Sequence, residues 1–300
     1  MKTWVEVIFG FILGMALWGF AHGADYIYQP IRVPEARHTQ PMGINDLGDV
    51  VGVSSDCDFG CKAQGFLFSD GQYYEIGVEN VSSFTPMGIN QHGVISGTIS
   101  GQYGFVMDDA QTTILEGAAR ADSLNNNPDT VVVGYRTTQK FNQAAYLWRA
   151  GNYVQLVNPD LPGVIASAAT GINDRGDVVG YWSTDAGDGI HVKIQGFVIR
   201  ASGRLEFIPI IPLGINSAGV IVGMDGAGND GAVLENGVVT LLTYPGADYT
   251  QVHGINNDGV IVGYSVSAGR RSGFTATTFA TFAARAKKQA ADQLAKGRLR

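Results

Sequence analysis

The sequence predicts an all-β chain: a six-bladed β-propeller closed by its N-terminal strand, with a short C-terminal helical tail. Three observations lead there. A decapeptide recurs as GINDLGDVVG at Gly43, GINQHGVISG at Gly88, GINDRGDVVG at Gly171, GINSAGVIVG at Gly214 and GINNDGVIVG at Gly254. A degenerate copy, SLNNNPDTVVVG around Asn125, fills the one double-length gap, so six copies stand roughly 35 to 48 residues apart, the spacing of propeller blades. The sixth unit lacks its last strand, and an unassigned strand-like segment stands before the first.

Taken from the N-terminus, Lys2 precedes an apolar run from Val7 to Phe20 that ends in the small residues Ala21 and Gly23. Residues 1–24 read as a secretory signal peptide cleaved near Gly23 or Ala24. An uncleaved membrane anchor is the rival, but the apolar stretch is short for a span and carries Glu6. The next segment, DYIYQPIRV from Asp25, has the composition of the missing sixth-unit strand. Pairing it there closes the ring and leaves no open sheet edge. The propeller is thus expected to occupy residues 25–279.

Within each unit, G-I-N-x-x-G supplies a turn, with Asn suited to its first position and Gly to its fourth. The turn joins an innermost strand to a second strand such as DVVGV or VIVGY, whose β-branched residues favour extension. A variable loop leads to a third strand (GFLF at 65, GFVM at 104, AYLW at 145, GFVI at 196, GAVL at 231, GFTA at 273). A tight turn then leads to a fourth strand in all units but the last. Gly before the Ile of the repeat allows close backbone approach around the axis, so the decapeptide is read as architecture.

The pattern G-I-N-x-x-G-x-V-x-G, followed by a G-F-L-W-like strand, resembles the HAF-repeat family of extracellular bacterial proteins. The likeness runs from Gly43 to Phe279; the third unit departs from it, with SLN for GIN and two inserted residues. The resemblance implies export and a repeat scaffold, and it names no reaction or substrate.

Composition limits the function. A hydrophobic content of 45% supports a packed core, and 41 Gly against 16% charged residues point to many turns. A net charge of −7 argues against a nucleic-acid binder. The only cysteines, Cys57 and Cys61, are expected to pair and pin one loop of an exported protein; a redox pair or half a metal site lacks the C-x-x-C spacing and a nearby His.

Chain order places the uniform first-to-second and third-to-fourth turns on one face and the variable connections on the other. Loop variation on a rigid scaffold is where binding residues reside. The candidate ligand residues are therefore Asp56, Asp58, Tyr135, Tyr181, Trp182, Asp185, Asp188, His191, Asp225 and Tyr249. The aromatics could stack on sugar rings or pack against neighbouring blades. The Asp-rich segments 183–191 and 225–231 could offer oxygens to calcium but lack a calcium-loop spacing, and no cofactor is expected. Gly226, Gly228 and Gly231 spell G-x-G-x-x-G without the helix a dinucleotide site needs.

No catalytic motif is present, and His38, His92, His191 and His253 are scattered, expected as surface or hydrogen-bonded residues. The chain reads as a monomeric, exported, non-catalytic binding or scaffold module for a glycan or a protein. The alternative is a hydrolase or lyase acting on an envelope polymer at the channel mouth. The tail, residues 280–300, combines helix formers with Arg285, Lys287, Lys288, Lys296, Arg298 and Arg300; it reads as a solvated helix resting on the acidic body, with a weak grip on an anionic surface as the alternative.

Overall fold

The computed structural model describes residues 26–287 apart from 59–61, 82, 110, 128–131, 138–142, 157–162, 186–191 and 227. Its strands form six four-stranded antiparallel sheets. Blade 1 holds β2 (His38–Ile44), β3 (Val50–Ser55), β4 (Gln64–Ser69) and β5 (Gln72–Ile76). Blade 2 holds β6 (Phe84–Ile89), β7 (Ile95–Ile99), β8 (Tyr103–Asp108) and β9 (Gln111–Ile114). Blade 3 holds β10 (Arg120–Leu124), β11 (Val132–Arg136), β12 (Ala144–Arg149) and β13 (Asn152–Gln155). Blade 4 holds β14 (Val164–Ile172), β15 (Val178–Asp185), β16 (Val192–Ile199) and β17 (Leu205–Ile208). Blade 5 holds β18 (Ile211–Ile215), β19 (Ile221–Met224), β20 (Gly231–Glu235) and β21 (Val238–Leu242). Blade 6 holds β22 (Tyr249–Ile255), β23 (Ile261–Ser267), β24 (Arg270–Thr278) and, from the other end of the chain, β1 (Tyr26–Ile31).

The expected closure is therefore present. β1 pairs antiparallel with β24 from Tyr26 opposite Thr278 to Ile31 opposite Gly273. His38 reinforces the seam: its Nδ1 accepts the Arg271 N–H, which leaves Nε2–H to donate to Asp58.

The core lies between blades rather than within one. In the repeated Val-Val-Gly, Val50 packs with Ile31, Phe66 and Val262 of the closing seam, while Val51 packs with Phe84 and Phe105 of blade 2. Both faces of a blade are covered, so apolar residues run consecutively instead of alternating. The Gly of this motif has a distinct steric cause. At Gly180 an added Cβ would run into the Ala168 carbonyl of the innermost strand and lie 2.7 Å from the Phe197 ring. Gly180 pairs with Phe197, as Gly52 pairs with Phe66 and Gly97 with Phe105. The Gly of the second strand and the aromatic of the third are thus one packing unit, which explains why they recur together.

The repeat Asn closes a second ring. Asn45 Nδ2 donates to the Asn90 carbonyl (3.0 Å), Asn90 to Asn125 (3.2 Å), Asn125 to Asn173 (3.3 Å), Asn173 to Asn216 (3.0 Å), Asn216 to Asn256 (3.2 Å) and Asn256 back to Asn45 (3.0 Å). The same side chain holds its own turn, since Asn45 Oδ1 accepts the N–H groups of Leu47 and Asp49. All six residues are buried.

Helix α1 (279–287) follows β24 and rests on the uniform-turn face, with Arg285 near Gly48 of blade 1 and Thr281 near Gly259 of blade 6. The rest of the basic tail lies outside the described residues. No helix among the described residues is long and apolar enough to cross a membrane.

Candidate functional site

Each innermost strand carries a β-bulge at the same place in the repeat, and β14 has a second one at Ile165. The residues left out of the ladders at the shared place are Met42, Met87, Asp122, Thr170, Leu213 and His253. All six line a central cavity of about 680 Å³. A bulge re-aims a side chain out of the ladder, and here it sets one residue per blade against the axis. Four of these positions are apolar or hydroxylic. The other two, Asp122 on blade 3 and His253 on blade 6, stand on opposite blades of the ring.

Arg120, two residues before Asp122, donates from Nη2 to Asp122 Oδ1. Its guanidinium lies 5.5 Å from the centre of the Tyr135 ring. Asp122 Oδ2, Arg120 Nε, His253 Nε2 and Thr98 Oγ1 are all screened from water and without a hydrogen-bond partner. All four residues line the same cavity. Burial raises the Asp122 carboxyl above its ordinary range, with Arg120 opposing. Burial, then the Arg120 charge, lowers His253 to about 4, so its imidazole is neutral at pH 7. The ring of His253 stacks on Tyr264 at 5.6 Å, and the Tyr264 hydroxyl donates to Gln251 Oε1.

The residue after the Gly of the second strand, in Val-Val-Gly or Ile-Val-Gly, forms the next layer. Tyr135, Tyr181 and Met224 line the cavity from this position, as does Thr98 after Ile-Ser-Gly. Burial, then the Asp122 charge, raises the Tyr181 phenol, while Arg120 opposes. In blade 4, β15 is the longest of the second strands, and Ile194 of the β15–β16 hairpin lines the cavity while about half exposed.

Of the ten residues expected on the variable face, Tyr135 and Tyr181 reach the cavity. Trp182 is buried, 5.2 Å from Phe207 in an edge contact and 5.7 Å from Phe197, so it takes the packing role. Asp58 is engaged by Arg37 (2.7 Å) and His38 (2.8 Å) and serves the seam. Asp225 accepts the Asn229 N–H (2.8 Å) and caps its own loop. Asp56 and Asp185 are exposed, and Tyr249 is half-buried at the start of β22. Asp188 and His191 lie outside the described residues, as does Cys61 of the expected Cys57–Cys61 bridge. No group of three or more potential metal ligands occurs among the described residues.

The loop-based expectation therefore missed Arg120, Asp122, Thr98 and His253, which sit on strands. The expectation of a surface or hydrogen-bonded His253 is corrected: its Nε2 is enclosed and unpartnered because the bulge turns the ring toward the channel. A signal was present, since counting three back from each repeat Asn yields Met42, Met87, Asp122, Thr170, Leu213 and His253, with Arg120 standing out at five back.

Neither a family model nor a curated protein matches the chain. Among solved structures, it is similar to a streptogramin B lyase at 11% identity and TM-score 0.49, covering 83% of this chain and 97% of that one. It is also similar to virginiamycin B lyase from Staphylococcus aureus at 14% identity and TM-score 0.46, covering 84% and 99%. The β-propeller domain of the trilobed protease from Pyrococcus furiosus matches at 12% identity and TM-score 0.40, covering 80% and 93%. The chain's own six four-stranded sheets, the last completed by β1, make it a six-bladed β-propeller.

Proposed function

We propose that this is an exported binding module whose ligand, a glycan or a protein, settles on the variable-loop face over the channel mouth. The observation that carries this reading is one cavity in which four enclosed, unpartnered polar atoms stand together with Tyr135 and Tyr181. Buried polar groups in a folded protein are ordinarily paired, so such a cluster is a place for an external partner. The resemblance to extracellular repeat proteins and the N-terminal apolar segment support export.

A hydrolase or lyase is the second reading, favoured by a carboxylate and an imidazole in one cavity. Binding fits better. Asp122 is engaged by Arg120, and an imidazole titrating near 4 is a weak base at pH 7.

Arrays of glycans and pull-downs of envelope polymers and proteins, made with the purified mature protein, test the proposal. A ligand should be captured, and the pair Tyr135→Ala and Tyr181→Ala should weaken it about tenfold or more, as expected for aromatic anchors. Wild-type affinity in that double variant, or an absence of ligands, would sink the reading. Catalytic release of product from a polymer, lost in His253→Gln, would transfer it to the enzyme class.

Export and the disulfide are read by intact mass and alkylation. The exported protein should begin near residue 24 or 25, and both thiols should resist alkylation until reduced. Retention of residues 1–22 identifies an anchor instead, and reactive thiols rule out the bridge.

A further inference from the structure

We infer that the channel beneath the mouth seats one neutral, polyhydroxylated ring, a sugar residue whose hydroxyls bridge Asp122 on blade 3 to His253 on blade 6. The inference deepens the binding reading above and rests on it. Asp122 is 7% exposed and Thr98 is 6% exposed, yet Asp122 Oδ2 and Thr98 Oγ1 have no partner in the protein. An uncompensated buried polar group is costly, and water or a ligand hydroxyl relieves it.

The inventory of free atoms suits hydroxyl groups. Asp122 Oδ2 accepts, Arg120 Nε–H donates, Thr98 Oγ1 does both, and His253 Nε2 donates or accepts according to its tautomer. A sugar hydroxyl also does both and can span such a set. Charge narrows the class. One guanidinium faces one carboxylate, and the His253 imidazole is uncharged at neutral pH, so this layer has no net charge. A carboxylated ligand would meet Asp122, and an ammonium would meet Arg120, each without an extra counter-charge.

Shape agrees. Met42, Met87 and Leu213 give the rest of the layer an apolar wall for the C–H face of a sugar ring. The volume of about 680 Å³ lies within the ordinary range for small-molecule sites.

Titration calorimetry on the full mature protein provides the test. The probes are glucose, galactose, mannose and N-acetylglucosamine with their dimers, the matching uronic acids, and glucosamine. Neutral sugars should bind, and Thr98→Val should weaken them about tenfold while leaving the melting temperature unchanged or higher, because it removes only an unpartnered hydroxyl. His253→Gln and Asp122→Asn should weaken them at least as much. The Thr98 variant keeps the test valid if the Asp122 variant misfolds.

A preference for uronates or glucosamine overturns the neutral class and leaves the mouth reading standing. So does neutral-sugar binding that ignores Thr98→Val and His253→Gln but falls with the tyrosine pair, which places the sugar above the channel. If no sugar binds while a protein ligand is captured at the mouth, this inference alone fails. If neither binds, both fail.

Discussion

Deletion of residues 26–31 is expected to abolish cooperative unfolding of the ring or lower its stability by about 5 kcal/mol or more. The estimate follows from the buried side chains alone, since truncating a buried Ile or a large aromatic each costs about 2–5 kcal/mol. Ile31 is 4% exposed in the seam with Val50, Phe66 and Val262. Tyr28 meets Tyr244 at 5.0 Å and Phe274 at 5.3 Å, and its hydroxyl reaches the Thr243 carbonyl. The loss is comparable to the whole stability of a typical domain. Without β1, β24 also becomes an open edge able to pair with another chain. Denaturant melts followed by Trp148 and Trp182 fluorescence measure the effect, and a peptide of residues 26–33 should restore part of it. An unchanged midpoint in the truncated chain would show that the ring does not depend on its seam.

The second large effect is acid destabilisation through His253. Its folded pKa, about 4, lies below the unfolded value of 6.5. Between these values the unfolded chain binds more protons than the folded one, so stability is full above about pH 6.5 and falls as pH drops toward 4. The difference of about 2.5 pK units corresponds to roughly 3 kcal/mol. Asp122 acts in the opposite sense, because its raised pKa lets the folded state take up a proton first. Arg120 stays charged throughout, and the Tyr264 ring stacked on His253 does not titrate in this range. Urea melts of wild type and His253→Gln at pH 7.5 and 4.5 isolate the imidazole, since every other group contributes to both proteins. The wild type should lose more stability on acidification by most of that figure. Equal losses would mean that His253 is solvated in the folded state.

Much of the architecture was legible in the chain. The Asn-x-x-Gly turns, the Val-Val-Gly strands and the third-strand aromatics are local patterns with local causes, and repetition made each visible several times. The closing strand was legible by subtraction: five units had four strands, the last had three, and one strand was left over. Tyr135 and Tyr181 both follow Val-Val-Gly, and strand register turns both into the central cavity. Trp182, one residue further on, falls on the other side of β15 and is buried against Phe207.

The polar cluster was different. Asp122 and His253 are separated by more than a hundred residues, and no spacing rule connects them. They share one cavity because six blades turn the chain through a full circle and put blades 3 and 6 across one axis. A bulge in each innermost strand then breaks strict alternation, so the facing of the third residue before Asn cannot be counted from a flat strand.

The chain by itself therefore determined the number of blades, their strands, the turns that carry them and the seam that joins the ends, because each depends on neighbours in sequence. Only the tertiary structure decided that the polar site lies in the channel. That outcome depends on which side chains the closed ring turns toward its axis, and on which of their polar atoms burial leaves without a partner.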